Sequence, residues 1–247
     1  MYKFVQILKI DLINLFTNPM WLAFAIGLPI GLVYALGWLA RSVYPGPVSA
    51  YDYYGVAVMI YMVMNSATTA ANSFMEDRIR RPNLRIVYSP VRPGFIHFSK
   101  VLSSFVFCSL TYLLVAVFLH LATGVNFGGD KSWAVAAVML LAVFACSALG
   151  VSVCCLLKSE SSTNQLLSLL ISLFGAFGGL FFPVDGLGRV LATVSCFSPA
   201  KWMMQSSLRI IYDSDLSVLP IVCTALVVLS AVCLLISARS FKGEEYL

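Results

Sequence analysis

Six apolar stretches, each long enough to cross a bilayer and each free of Asp, Glu, Lys and Arg, take up most of the chain. They run Met20 to Ala40, Tyr53 to Phe74, Val101 to Ala122, Trp133 to Leu157, Asn164 to Phe182 and Leu216 to Ala238. A helix needs about 20 mostly apolar residues to cross the hydrocarbon core, and its backbone must bond to itself there. The pattern therefore predicts an all-α integral membrane protein with six transmembrane helices. Only 11% of the residues are charged, against roughly 25% in a soluble domain. Six spans and their loops consume the 247 residues, so a single transmembrane domain, 1–247, is expected, with no length left for a soluble catalytic unit.

The segment before the first span is basic and amphipathic and lacks a small-residue cleavage pattern, so no signal peptide is expected. Lys3, Gln6, Lys9, Asn14 and Thr17 fall on one broad side of a helix. Phe4, Val5, Leu8, Leu12, Leu15 and Phe16 fall opposite, and Ile10 and Ile13 interrupt the polar side. Such a helix suits the headgroup layer. Orientation follows from counting Lys and Arg on alternate sides. The N-terminal segment, the loop from Met75 to Lys100, the turn at Lys158 and the tail after Arg239 hold 11 of the 16 basic residues. Both termini are accordingly expected in the cytoplasm. The net charge of +5 reflects this asymmetry and requires no nucleic-acid partner.

Ion-driven transporters usually carry titratable residues within their spans, and the six cores have none, which disfavours a coupled-ion mechanism. Asp pairs, a Ser-His pair and His-Glu-x-x-His are equally absent from the spans, so no enzyme activity and no metal site are expected. Cys108, Cys146, Cys154, Cys155, Cys223 and Cys233 lie in spans, where thiols pack as small apolar groups. Cys196 lies in an outward segment without a disulfide partner. His97 and His120 read as loop and helix-end residues. Nothing matches Gly-x-x-x-x-Gly-Lys-Ser/Thr, the loop that cradles nucleotide phosphates, so any ATP and Mg would be bound by another polypeptide.

One sizeable cytoplasmic loop remains, from Glu76 to Lys100. It mixes Arg78, Arg80, Arg81, Arg85 and Arg92 with Ile79, Leu84, Ile86, Val87 and Tyr88. Basic loops fix topology and touch anionic lipid, and the interspersed apolar side chains equally suit docking on a protein. After the fifth span, Pro183 and Gly186 end the helix. The following 30 or so residues are too short and too polar for two more spans, and are expected to form short helices at the outer leaflet.

Two spans carry polar faces. In the second, Tyr61, Asn65, Thr68 and Asn72 recur at spacings of 4, 3 and 4; in the fifth, Ser161, Gln165, Ser168, Ser172, Gly175 and Gly179 follow 4, 3, 4, 3 and 4. Amides in lipid must pair with another helix or meet water, and both readings stand at this point. Gly175 and Gly179 form a Gly-x-x-x-Gly, which lets a neighbouring helix approach.

In span number and order, over its whole length, the chain resembles the type 2 ABC-transporter permeases, six-span exporter subunits. Three local features carry the likeness. The first is Glu76, then Ser89-Pro90-Val91 about a dozen residues on, then Lys100. The second is Phe181-Phe182-Pro183, followed by Ser198-Pro199 and Leu208-Arg209; the third is the helix from Lys3 to Thr17, stopped by Asn18-Pro19. The resemblance implies an interfacial connecting helix at 1–19, a coupling loop at 76–100 and an outward re-entrant element at 183–215. It implies that Ile79, Arg80, Arg81, Leu84, Arg85, Ile86, Tyr88 and Val91 meet a separate cytoplasmic ABC ATPase. A second permease copy or paralogue is expected, with membrane lipids around the pair. Asn65, Thr68, Asn72, Gln165, Ser168 and Ser172 would line the pathway, and Phe177, Phe181, Phe182 and Pro183 would form an outer gate. No cofactor is expected in this chain. Small hydroxyls, amides and aromatics without fixed charge suit an amphipathic drug-like or peptide cargo, with a polysaccharide or lipid-linked glycan second. A compact bacterial exporter in the plasma membrane is the expectation. The rivals are a non-transporting immunity or binding protein and a channel.

Overall fold

The computed structural model describes residues 2–42, 48–75, 93–181, 193, 195, 196 and 198–240. Among the described residues the regular structure is entirely helical. Helix α1, Tyr2–Thr17, is followed by α2, Pro19–Leu39. Asn18 separates them: its side chain accepts from the Met20 backbone N–H at 3.1 Å, and Pro19 takes the first helical position, where a missing N–H costs nothing. Within α2, Ala23–Gly27 widens into a π turn. Pro29, lying just beyond it, cannot donate to the turn before it, and a wider turn relieves that crowding.

Helix α3 is Ala50–Met75, α4 Pro93–Thr123, α5 Ser132–Leu157, α6 Glu160–Phe177, α7 Pro199–Leu208 and α8 Leu219–Ser240. Cross-links at the two ends show that α3, α5 and α8 run one way and α4 and α6 the other. At one end Asp52, at the start of α3, accepts from the Asn126 N–H at 2.8 Å, and Lys131, just before α5, donates to the Ser214 carbonyl, just before α8, at 2.9 Å. At the other end Asn72 of α3 meets Asn164 of α6, and Cys155 of α5 meets Ser237 of α8.

Among the described residues, four helical segments are long and apolar enough to cross a membrane: Pro19–Leu39, His97–Thr123, Gly129–Leu157 and Leu219–Ser240. The expected second and fifth spans, α3 and α6, are helices of 26 and 18 residues that do not reach that apolarity. For α3 the reason is its position. It is buried almost throughout against α5, α4, α2 and α6, so its side chains meet protein and need not be apolar. Ser66 bonds the Val63 carbonyl at 2.7 Å and the Val143 carbonyl of α5 at 3.3 Å. Ser73 shares a hydrogen bond with Ser104 of α4 at 3.2 Å.

Backbones approach most closely where side chains vanish. A Cβ on Gly150 of α5 would stand 2.0 Å from the carbonyl oxygen of Ala67 on α3, so glycine is what lets these two helices touch. Close by, Ser152 of α5 donates to the Cys233 carbonyl of α8 at 2.6 Å.

Three expectations need correction. The fifth helix stops at Phe177, not Phe182: Gly179 adopts a left-handed φ of +78° and the Leu180 N–H returns to the Gly175 carbonyl at 3.0 Å, a glycine-terminated cap. The third helix begins at Pro93 rather than Val101, which puts His97 and Lys100 inside it, both buried. On α1 the buried residues are Ile7, Asp11 and Leu15, while Val5 and Phe16 are exposed. The helix packs on α4, not lipid alone, and its stripe is set by that contact.

Candidate functional site

From Tyr54 to Met75, every residue of α3 is buried except Tyr61, Thr68 and Asn72, which are half-buried. Their spacing of seven and four puts them on one face. Asn65, between them, is 8% exposed, and its amide donates back to the Tyr61 carbonyl at 2.9 Å. Helix α6 lies against α3, and its buried residues Thr163, Leu167, Ile171 and Gly175 form one stripe. Ser159 caps its start by accepting from the Ser162 N–H. Gln165, Ser168 and Ser172 lie off this stripe and are exposed; Gln165 donates to the Ser161 hydroxyl at 3.4 Å.

A direct bond joins the two amide-bearing helices: Asn164 donates to the Asn72 side-chain oxygen at 2.7 Å. This satisfies part of Asn72 by helix pairing. The Thr68 hydroxyl and the Asn164 side-chain oxygen are buried and have no hydrogen-bond partner among the described residues. A buried polar atom left unpaired costs about 1–3 kcal/mol, so this junction retains unmet hydrogen-bonding capacity. Asn164 was not singled out from sequence. Its signal was there, as a second amide beside Gln165 at the start of a span.

The other end of the α3–α6 junction is closed by aromatics. Tyr53 donates to the Gly179 carbonyl at 2.6 Å and Tyr54 to the Phe181 carbonyl at 3.3 Å. The Phe181 ring stands edge-on to Tyr61, 5.8 Å between centroids, and within 3.2 Å of where a Gly175 Cβ would be. Gly175 thus makes room for the chain folding back on itself, not for a neighbouring helix. Ser198, just before α7, donates to the Phe174 carbonyl at 2.7 Å. Phe177 is half-buried at the helix end.

Phe182 and Pro183 lie outside the described residues, as do Ile79, Arg80, Arg81, Leu84, Arg85, Ile86, Tyr88 and Val91. Helices α1 and α4 share a buried charged contact. Asp11 of α1 is 5% exposed and Lys100 of α4 is 1% exposed; their charged atoms stand 2.5 Å apart. Ser99 donates to the second carboxylate oxygen at 3.0 Å. By sequence Lys100 stands at a loop end and Asp11 carries no signal, because the partners are 89 positions apart.

At the opposite end, burial first and then the neighbouring Asp52 carboxylate push the Tyr212 phenol up to about 12. Asp215 is held below its ordinary value by hydrogen bonds from Ser217, whose N–H donates at 2.9 Å.

A largely buried α3 with a hydrogen-bonded but incompletely paired α6 beside it, inside a set of apolar membrane-length helices, defines a membrane-embedded helical protein with a polar seam. The chain belongs to the ABC-2 family of transporter proteins, whose family model matches residues 19–239. Among curated proteins none matches it. The family identifies a transmembrane subunit of an ABC transporter, a class that generally works with an ATPase subunit.

Proposed function

We propose that this chain is the six-span permease subunit of an ATP-driven exporter, with a separate ABC ATPase supplying the energy and a second permease completing the pathway. Membership of the ABC-2 family over residues 19–239 is the observation that carries this reading. The alternation of the long helices supports counting α3 and α6 as the second and fifth spans. At 26 residues and 1.5 Å each, α3 is about 39 Å long, enough to cross a core of about 30 Å. Both termini then lie in the cytoplasm of a bacterial plasma membrane.

The cargo path runs along the α3–α6 seam. Thr68 and Asn72 line it from the half-buried face of α3 and Asn65 supports it, Gln165, Ser168 and Ser172 extend it along the exposed face of α6 beyond the α3–α6 contact, and Phe177, Phe181, Phe182 and Pro183 close its outer end. ATP-driven closure of the ATPases pushes Ile79 to Val91 and rocks these helices; no covalent chemistry takes place in this chain. The unpaired Thr68 and Asn164 atoms support a seam that meets water, cargo or the second permease. Its uncharged amides and hydroxyls favour an amphipathic drug-like or peptide cargo.

Single cysteines at Thr68 and Ser172, in a chain with its exposed and half-buried native cysteines removed, test the path. A membrane-impermeant maleimide is expected to label both, at rates that differ between nucleotide-free and vanadate-trapped complexes. Equal rates in the two states, or no labelling, would assign these faces to helix packing.

A further inference from the structure

The Asp11–Lys100 pair is a costly feature. Removing two charges from water costs several kcal/mol per ion, and apolar replacements of similar volume are often neutral or stabilising. Stability alone therefore does not account for it. What an ion pair adds over an apolar contact is direction. Apolar burial is non-directional, so two helices held only by it slide past one another, whereas a carboxylate with both oxygens engaged, by Lys100 at 2.5 Å and Ser99 at 3.0 Å, admits one register.

The surroundings reinforce that register. Phe4 stacks on Phe98 with 6.0 Å between centroids, and Phe16 meets Phe107 edge-on at 5.0 Å. The pair sits between these aromatic contacts, in the opening turns of α4. Residues 76–92 lead directly into this end of α4, and α1 leads through Asn18 and Pro19 directly into α2.

We propose that Asp11 is a positioning residue that locks α1 to the loop-proximal end of α4, so that a displacement of α4 is carried into α1 and on to the first span. As a transport step this rests on the ATP-driven reading above; as a mechanical link it does not. A force applied at 76–92 then moves α4, α1 and α2 as one body rather than tilting α4 alone.

Two readouts test it on the whole chain in lipid vesicles. The first uses spin labels at Ile10 and Leu114, both exposed, with Cys146, Cys196 and Cys223 replaced by Ala. The unaltered pair is expected to give a narrow α1–α4 distance distribution. D11L/K100M, which puts an apolar contact in place of the pair and is expected to keep the unfolding temperature, is expected to broaden it, and the reversed pair D11K/K100D to narrow it again. An equally narrow distribution in D11L/K100M overturns the proposal. The second readout is vanadate-sensitive ATP hydrolysis by the complex with the ABC ATPase that copurifies with this chain. A fall of about tenfold, equivalent to about 1.4 kcal/mol in the barrier, is expected in D11L/K100M, with recovery in D11K/K100D. Unchanged hydrolysis in D11L/K100M overturns the transmission role. If the unaltered chain captures no ATPase while the distances respond as described, the ATP-driven reading fails and the positioning role of Asp11 stands.

Discussion

Gly150 has no room for a side chain: its added Cβ would lie 2.0 Å from the Ala67 carbonyl oxygen and 2.8 Å from the Ala67 Cα. Backbone cannot move aside as a flexible side chain can. Gly150→Leu is expected to cost about 1–3 kcal/mol, read as a lower thermal unfolding midpoint of the purified chain in detergent, while Gly31→Leu, where nothing stands within 4 Å, leaves it unchanged. The sequence offered the opposite emphasis, since Gly175 and Gly179 carry the recognisable spacing and Gly150 carries none. Spacing marks where two glycines share a face, but what faces them is decided by the tertiary contact, and here it is Phe181 and a left-handed cap. Tyr212 supplies a pH-dependent outcome. Its folded value near 12 lies above the ordinary 10, so the folded state keeps the phenol proton that the unfolded chain loses first. The corresponding stability is fully present below pH 10 and is lost as pH rises through about 12. Tyr212→Phe is expected to remove that portion of the alkaline loss, checked by unfolding across this range.

At the scale of elements, α1 and the α3–α6 pair carry the most direct tests. Asp11→Ala leaves the Lys100 ammonium buried without a counter-charge, and is expected to destabilise the chain by about 3–5 kcal/mol, far more than D11L/K100M. Protease resistance in detergent compares the two. Between α3 and α6, a double-mutant cycle on Asn72 and Asn164 is expected to give a coupling energy of about 0.6–2 kcal/mol; a value near zero would mean that the 2.7 Å bond contributes nothing to their pairing. Helix positions were legible because runs such as Trp133 to Leu157 have no competing structure, and the observed α5, Ser132–Leu157, departs by one residue. Ends were less legible. Pro183 looked like the stop for α6, but the Gly178-Gly179 pair had already supplied a left-handed position. On α1 a helical wheel sorts residues by polarity, and a lone carboxylate sorts with the solvent. Only contact with Lys100, distant in sequence, makes Asp11 part of the buried face.

For the molecule as a whole, apolar length and family membership agree on a membrane-embedded transporter subunit. The polar character of α3 follows from the same architecture: a helix wrapped by others is relieved of the apolarity that lipid demands, which is why it falls short as a span by composition although its length suffices. The candidate path was legible as two polar faces, and Asn65, Thr68 and Asn72 do share one side of α3. Which of those groups pair with protein was not legible, because hydrogen-bond partners such as Asn164 depend on how α3 and α6 are rotated against each other. The central claim is that this chain works only as the moving partner of a separate ATPase. Its most direct test is vanadate-sensitive ATP hydrolysis by the complex purified through a tag on this chain, in lipid, with and without the R80E/R81E/R85E change and with surface labelling of the loop to confirm its side. Vanadate-sensitive turnover that copurifies with the unaltered chain, and falls in the triple variant whose loop keeps its orientation, is the expected result. A chain that brings down no ATPase, or a triple variant that hydrolyses ATP as fast as the original, would contradict it.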